Sequence, residues 1–275
     1  MIAKEMMSKD YIKADKNETI SGLIGKLKLK KAKTAVVFDN HRFVGLTNKN
    51  LLIKTKLNPS QMKVQRIIEK VPVLKGDETE YRIARLMYGA DAHLLPVIEK
   101  GILLGVVKSI DLINLIKENK KFSRMKAGEV MGRKSLITIK ENDRLGKAIE
   151  IMKENKIDRI PVIDNKGEVV SIASMTDIMF DYILQLQSKS EARGIGRDKF
   201  KTRAFKDRFE MDGFPIKNIA SQTIVDAGPE DPVSRIIDLM REFDISSIIL
   251  TKEKKPVGII TIRDIIKLLI KRVTF

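Results

Sequence analysis

The sequence predicts a mixed α/β (α+β) fold made of four consecutive repeats, each with the element order β-α-β-β-α. The first observation behind this prediction is a recurring pattern of short apolar run, polar turn, second apolar run and helix-like stretch, found in residues 34–54, 93–116, 159–180 and 246–269. The second is that these short runs are rich in Val and Ile, which is typical of strands. The third is an ordinary globular balance of 43% hydrophobic and 32% charged residues.

The first helix of each repeat is predicted from apolar residues spaced three or four apart, upstream of the two runs. In chain order these residues are Ile20, Leu23, Ile24 and Leu27; Ile83, Ala84 and Met87; Leu145, Ala148, Ile149 and Met152; and Val233, Ile236, Ile237 and Met240. We therefore expect one face of each helix to be buried. In the fourth repeat, Asp231 and Pro232 are predicted to form the N-cap and the first helical turn.

The next two strands are predicted to form a hairpin because polar turns separate them, with the sequences DNHR, EKG, DNKG and KEKK. A second helix completes each repeat, and the repeats are placed at residues 1–57, 58–122, 123–187 and 213–275. Residues 188–212 form a basic insertion or linker, since the interval between the third and fourth repeats is about 20 residues longer than the others. A unit of about 60 residues is marginal alone, so we expect the repeats to pair.

Composition excludes several kinds of function. The chain has no cysteine, which excludes disulfides, thiolate zinc sites, iron–sulfur clusters and thiol nucleophiles. With only two histidines, His41 and His93, serine–histidine triads and multi-histidine metal sites are poor hypotheses. The N-terminus has no apolar signal-peptide core and no apolar run approaches 18 residues, so we expect a cytoplasmic protein that does not span a membrane.

A small motif occurs where the second hairpin strand of each repeat meets the following helix. It comprises Gly258, Thr261, Arg263 and Asp264 in the fourth repeat; Ser171, Ser174 and Asp177 in the third; Gly105, Lys108 and Asp111 in the second; and Gly45, Thr47 and Asn50 in the first. One interpretation is a capping box, in which a hydroxyl and a later carboxylate cap the helix. The other is a nucleotide cradle, in which the helix start attracts phosphate, the carboxylate accepts ribose hydroxyls and the glycine lets backbone approach the ligand. Recurrence in four repeats favours the cradle.

With these motifs, nearly the whole chain outside 188–212 resembles a protein of four tandem cystathionine-β-synthase (CBS) domains. The resemblance implies that repeats one and two, and repeats three and four, pair into two Bateman modules. Such modules are similar to the nucleotide-sensing gamma subunit of AMP-activated protein kinase. They bind AMP, ADP, ATP or S-adenosylmethionine in clefts between paired units, which makes an adenosine compound the expected ligand here.

The resemblance also implies roles for the motif residues. In the fourth repeat, Thr261 would contact phosphate and Asp264 the ribose hydroxyls, with Arg263 able to add a phosphate contact. In the third repeat, Ser174 and Asp177 would act in the same way. In the second repeat, Lys108 stands beside Asp111 where a hydroxyl is expected, so it could meet a phosphate or fill the cleft. In the first repeat, Asn50 replaces the carboxylate, and we expect no strong site there.

Residues outside the motif are implied as well. Basic residues just before the second strand reach phosphates in this family, and His93 and Arg159 occupy such positions. Their structural alternatives are a structural histidine and a solvated charge. The segments that open repeats three and four would line the base pocket or belong to core strands; they contain Ile137, Thr138, Ile139, Thr223, Ile224 and Val225.

The formal net charge of +17 leaves a second function open. Positive surfaces attract polyanions, and residues 199–209 mix Lys and Arg with phenylalanines that could stack on bases. The main hypothesis is a regulatory adenosine-nucleotide-binding protein, not an enzyme, that signals to a protein partner by conformational change and forms a homodimer. The alternative is a nucleic-acid-binding or scaffold protein that uses the basic surface and residues 188–212.

Overall fold

The computed structural model describes residues 1–30, 32–48, 62–132, 136–155, 157–175, 178, 215–218 and 224–271. The basic insertion predicted at 188–212 lies outside the described residues. So do three of the motif and pocket residues, namely Asn50, Asp177 and Thr223.

Strands and helices follow the predicted repeat order. The strands are β1 (Ile12–Asp15), β2 (Thr34–Asp39), β3 (Arg42–Asn48), β4 (Leu94–Glu99), β5 (Ile102–Lys108), β6 (Ile139–Lys140), β7 (Arg159–Ile163), β8 (Val169–Ser174), β9 (Asp226–Ala227), β10 (Ser247–Lys252) and β11 (Lys255–Thr261). The helices are α1 (Ala3–Met6), α2 (Ile20–Leu29), α3 (Glu80–Ala90), α4 (Ser109–Glu118), α5 (Lys120–Ser123), α6 (Ala127–Val130), α7 (Leu145–Glu154), α8 (Val233–Glu242) and α9 (Ile262–Lys271). Two 3-10 turns cover Val64–Ile67 and Ile216–Asn218.

Each repeat builds a small sheet around an antiparallel hairpin, and the first strand joins it in parallel, as in β1-β2-β3. Repeats three and four have the same arrangement, in the orders β6-β7-β8 and β11-β10-β9. In repeat two the first strand is reduced to a single parallel bridge between Leu74 and Val97. The predicted order is therefore confirmed for repeats two and four, with a first strand whose length differs between repeats; the second helices predicted for repeats one and three lie almost wholly outside the described residues.

The predicted helix faces are buried. The apolar residues of α2, α3 and α8 named from the sequence are all at most 1% exposed, and in α7 only Ile149 remains half-buried. The start of α8 corrects one prediction, because Pro232 is the N-cap residue and Val233 the first helical residue. Asp231 lies one position outside the helix, where its carboxylate accepts a hydrogen bond from the Gly228 amide at 2.7 Å.

The predicted pairing of repeats one with two and three with four is confirmed by an exchange of opening segments. Ile2 and Ser8, which open repeat one, bridge to Thr79 and Val106 of repeat two. In return, Lys63 and Glu69, which open repeat two, bridge to Thr19 and Leu46 of repeat one. The other pair does the same, with bridges from Lys126 to Pro232 and from Arg144 to Pro215. The opening residues are buried in the partner's core, as Val64 and Ile67 are among those of repeat one.

The two pairs meet through helices. In repeat two α3 and α4, and in repeat four α8 and α9, pack into one continuous core. Its fully buried members include Met87, Ile113, Ile236 and Ile265. Since this core joins the second repeat of each pair, it fixes the two modules against each other. Among the described residues, no helix combines the length and apolar character needed to cross a membrane.

Candidate functional site

In repeat four, the strand-to-helix junction places the predicted hydroxyl and carboxylate in contact. The Thr261 amide and hydroxyl both donate to Oδ2 of Asp264, at 2.9 and 2.7 Å, and the Asp264 amide donates to the Thr261 hydroxyl at 3.2 Å. This is a reciprocal helix cap. Within the described residues Oδ1 of Asp264 accepts no hydrogen bond, so the cap leaves one carboxylate oxygen available to a ligand.

In repeat two the same junction holds an ion pair. Nζ of Lys108 lies 2.9 Å from Oδ2 of Asp10, which comes from the opening segment of repeat one. Burial raises the pKa of Asp111, while the positive charge and the backbone amide of Lys108 and the charge of Arg241 oppose that rise. The ammonium of Lys108 thus has a carboxylate partner, and the two sequence alternatives for this residue, a phosphate contact or a filled cleft, both stay predictions.

In repeat three, Ser174 is the last residue of β8 and pairs in register with Arg159 at the start of β7. Ser174 is half-buried and interacts with another group of the protein. The predicted carboxylate, Asp177, lies outside the described residues, so its contacts stay a prediction.

Strand register corrects the motif of repeat one. Thr34 pairs with Asn48 just as Leu94 pairs with Lys108 and Ser247 with Thr261. Asn48, and not Thr47, is therefore the equivalent of Thr261. Thr47 is fully buried, and its hydroxyl is without a partner within the described residues. The amide of Asn48 donates to Glu69 at 3.3 Å.

The motif glycines serve the partner repeat rather than a ligand, contrary to the cradle interpretation. A Cβ on Gly105 would lie 2.9 Å from the carbonyl oxygen of Ser8. A Cβ on Gly45 would lie 2.7 Å from the carbonyl oxygen of Glu69, and one on Gly258 would clash with the Met131 side chain. These glycines let the exchanged opening segments cross the hairpin at close range.

Arg263 also departs from its predicted role. Its guanidinium pairs with the carboxylate of Asp91 and lies 4.2 Å from the centre of the Tyr88 ring. Both partners belong to repeat two, so Arg263 links the two modules. The predicted phosphate contact of Arg263 would require it to leave these partners.

Three basic residues and one serine lie where all four repeats meet, and we call this group the four-repeat centre: Lys33, His93, Arg159 and Ser246. Nη2 of Arg159 donates to the Ser246 hydroxyl at 2.7 Å, and Nζ of Lys33 does so at 3.4 Å. His93 lies close enough for the charges of Lys33 and Arg159 to act on its imidazole. The structure thus brings together His93 and Arg159, both predicted from the sequence.

Lys33 and Ser246 were missed from the sequence, although a signal existed. Lys33, His93 and Ser246 each stand immediately before a hairpin's first strand, at β2, β4 and β10. The backbone of this position is tied to the second helix, since the Ile262 amide donates to Ser246 and the Ser109 amide to His93. The four-repeat centre therefore lies beside the starts of α4 and α9, next to Lys108 and Thr261.

Electrostatics at the four-repeat centre disfavour further positive charge. His93 is accessible to solvent yet densely surrounded by protein atoms. Burial lowers the pKa of His93, the positive charges of Lys33 and Arg159 lower it further, and Asp91 and Asp158 oppose them. Lys33 and Arg159 thus bring two cationic groups to the Ser246 hydroxyl, and both oppose a positive charge on His93.

The predicted base-pocket residues differ in exposure. Ile139 is buried in the core of repeat three, while Ile137 and Thr138 are half-buried. In the opening of repeat four, Val225 is half-buried, and Ile224 is 36% exposed and remains available to an apolar ligand surface. The core-strand alternative thus holds for Ile139.

Known proteins show the same fold. A sequence model described as the CBS domain matches residues 64–118, 127–182 and 216–271, which are repeats two, three and four. Protein MJ1404 of Methanocaldococcus jannaschii is 23% identical over 269 residues, which are 96% of this chain and 61% of that protein. The chain therefore spans about three fifths of that relative.

A second relative is similar in both sequence and structure. Protein MJ1225 of Methanocaldococcus jannaschii is 27% identical over 190 residues, which are 64% of this chain and 68% of that protein. Its crystal structure, described as that of a candidate archaeal homologue of g-AMPK, aligns with a TM-score of 0.76 at 17% identity over 98% of this chain and 99% of that one. A conserved protein of Pyrococcus horikoshii aligns with a TM-score of 0.62 at 18% identity, over 98% and 100%.

Proposed function

Because the chain belongs to the CBS-domain family, we propose that it is a regulatory protein that binds an adenine nucleotide between repeats three and four. The observation that carries the proposal is the four-repeat centre, where Lys33 and Arg159 converge on Ser246 beside the start of α9. A relative described as a candidate archaeal homologue of g-AMPK agrees with this ligand class. We propose a binding role, without catalysis.

The proposed ligand position follows from the contacts. Ser247 pairs with Thr261, so the Ser246 hydroxyl and the cap at Asp264 lie at the same edge of the repeat-four sheet. A ribose hydroxyl would donate to Oδ1 of Asp264, and the phosphate would extend toward Arg159. The adenine would lie near Ile224, which is the exposed apolar side chain of the repeat-four opening.

Charge narrows the ligand class further. S-adenosylmethionine carries a sulfonium cation, which two nearby cations would repel. AMP, ADP and ATP carry anionic phosphates, which Lys33 and Arg159 attract. We therefore propose a phosphate-bearing adenosine compound rather than S-adenosylmethionine.

The number of sites should be small. Repeat one has Asn48 at the hydroxyl position, and repeat two has Lys108 already paired with Asp10. Repeat four is the proposed main site, and repeat three, with Ser174 beside Arg159, is the proposed second one. Ligand at repeat four would act on repeat two through Arg263 and Asp91, which join the modules.

Calorimetric titration of protein stripped of bound ligand tests the proposal, with AMP, adenosine and S-adenosylmethionine as probes. We expect AMP to bind at least tenfold more tightly than the other two, because only AMP carries the phosphate. Arg159→Gln should weaken AMP and leave adenosine unchanged. Arg42→Gln, at an exposed arginine on β3, is the matched control and should change neither. Equal binding of AMP and adenosine would contradict the proposal.

The nucleic-acid alternative stays a prediction from the sequence. It rests on the net charge of +17 and on residues 188–212, which lie outside the described residues. It predicts binding to single-stranded DNA that weakens steeply with salt and is lost when 188–212 are deleted. The homodimer and the cytoplasmic location are likewise proposals made from the sequence.

A further inference from the structure

A positively charged surface lies where α3 of repeat two packs against α9 of repeat four, outside the core that joins the modules. The end of α3 lies beside the start of α9, since Tyr88 and Asp91 line one cleft together with Ile262 and Arg263. Both helices bury one side in the core, so each leaves an exposed edge next to the other helix.

The side chains of these two edges are aromatic or cationic. With 3.6 residues per turn, Tyr81, Arg85 and Tyr88 share one edge of α3, and Arg263 and Lys267 share one edge of α9. The three cations are exposed and the two tyrosines are half-buried. We call these five residues the α3–α9 surface.

Each tyrosine of the α3–α9 surface has an arginine over its ring. The guanidinium carbon of Arg263 lies 4.2 Å from the centre of the Tyr88 ring, and that of Arg85 lies 5.8 Å from the centre of the Tyr81 ring. The two tyrosines are seven residues apart, which is about 10 Å along the helix. Guanidinium planes and aromatic rings are the groups on which nucleobases stack. The surface therefore has two stacking positions, two helical turns apart.

Positive charge is less balanced here than on the other side of the same core. Across α4 and α8, Lys117 pairs with Asp238 at 2.5 Å and Arg241 donates to Asn114 at 3.1 Å. On α3 and α9, four exposed cations form no ion pair with a residue that the structure describes: Arg82, Arg85, Lys267 and Lys271.

The carboxylates nearest to these cations have other partners. Glu80, at the start of α3, accepts a hydrogen bond from the N-terminal amine at 3.1 Å, and Asp264 caps α9 through Thr261. Asp91, which follows α3, pairs with Arg263. The two helices therefore present a net positive surface to solvent, which attracts a polyanion.

We propose that the α3–α9 surface binds single-stranded nucleic acid, with bases stacked on the two arginine–tyrosine pairs and phosphates held by Lys267 and the flanking Arg82 and Lys271. The inference goes beyond the proposed function and does not depend on it. It uses two packed helices instead of residues 188–212. An acidic peptide would meet the same charges but would leave the stacking positions unused, so the observations favour a nucleic acid.

Fluorescence anisotropy tests the proposal with the full chain and a labelled oligouridylate of about 12 nucleotides. The triple variant Arg82→Gln/Arg85→Gln/Lys267→Gln should bind at least tenfold more weakly. It should also reduce the slope of log affinity against log salt by about two, because it removes three cations that meet phosphates. Unchanged affinity and slope would place any binding on another part of the chain and overturn the inference.

A second triple variant separates this surface from the overall charge. Lys70→Gln/Lys75→Gln/Lys100→Gln removes the same charge from exposed lysines of repeat two that lie outside α3 and α9. It should stay within about threefold of the wild type. Equal losses in the two triple variants would show that net charge alone attracts the oligonucleotide, and would contradict a defined site.

Stacking is tested without a change of charge. Tyr81→Leu should weaken oligouridylate binding about fivefold, while Tyr81→Phe, which keeps the ring, should stay within about twofold of the wild type. Inorganic polyphosphate and polyglutamate serve as competitors that lack bases, and both should compete more weakly than unlabelled oligouridylate. Polyglutamate that competes equally well would identify the α3–α9 surface as a site for acidic protein segments and overturn the nucleic-acid proposal.

Discussion

The junctions of repeats four and two share one backbone but differ in what they offer a ligand. Both place a carboxylate three residues after the last strand residue, and both carboxylates accept a bond from the backbone amide of that residue. In repeat four that residue is Thr261, and one oxygen of Asp264 accepts no hydrogen bond from the part of the chain that the structure describes. In repeat two it is Lys108, whose ammonium pairs with Asp10. Helix capping and ligand binding are therefore compatible uses of one carboxylate, and the neighbouring residue decides between them.

The largest expected effect separates the two carboxylates. Asp264→Ala should weaken AMP binding about ten- to hundredfold, since a charge-assisted hydrogen bond contributes about 1.5–3 kcal/mol. Asp111→Ala is the matched control, because it removes the equivalent carboxylate of repeat two. It should leave AMP affinity within about twofold of wild type. Calorimetry on both variants checks this, and equal losses would show that capping alone explains the motif.

The second prediction concerns a variant in which the junction of repeat two is made to resemble that of repeat four. Lys108→Thr removes the partner of Asp10 and restores a hydroxyl beside Asp111, so one additional AMP should bind, roughly tenfold more weakly than at repeat four. Lys108→Met removes the same ammonium without adding a hydroxyl and serves as control. Binding stoichiometry is the measurement. If both variants kept the wild-type stoichiometry, Lys108 would not be what closes this site.

A smaller effect compares the glycines of the two junctions. Gly105→Ala should destabilise the protein by about 2 kcal/mol, because its Cβ meets the backbone of Ser8 at 2.9 Å. Gly258→Ala should cost about 1 kcal/mol, because the obstacle is the flexible Met131 side chain, which can rotate. Denaturant unfolding of both variants gives the two values. The reverse order would mean that Met131 is held more rigidly than the opening segment of repeat one.

The smallest effect concerns the link between the two junctions. Arg263→Gln loses the stacking on Tyr88 and the pair with Asp91, and since Arg263 is 45% exposed the cost should be only about 1 kcal/mol of stability. AMP affinity should change less than threefold. Thermal unfolding and calorimetry measure the two quantities. A tenfold loss of affinity would restore Arg263 to the phosphate contact that the sequence predicts.

Helix faces and repeat order could be predicted because they leave a period in the sequence. Ile236 and Met240 are buried where a 3.6-residue period places them. The end of β3 could not be predicted in this way, since pairing with Thr34 decides that Asn48 and not Thr47 closes the strand. The composition of a strand does not reveal which of its residues pair with which residues of the neighbouring strand.

The site residues also differ in whether a sequence pattern marks them. His93 and Arg159 were predicted because a family pattern marks their positions. Composition does not single out Lys33, which is one of 53 basic residues. Its position immediately before β2 is the available signal, and the approach of repeat four makes that position significant. The sequence predicts a phosphate contact for Arg263 because it does not reveal the partners of this residue. Those partners, Tyr88 and Asp91, lie more than 170 positions away in the sequence.

The exchange of opening segments has a consequence for how such a chain is made and inherited. While the ribosome has released only repeat one, the hydrophobic core of that repeat lacks Met62, Val64 and Ile67, so it closes only after repeat two begins to emerge. A gene duplication that copied one repeat would leave one opening segment without a hairpin to cross. The smallest piece that can be copied, moved to another protein or synthesised as a finished unit is therefore the pair.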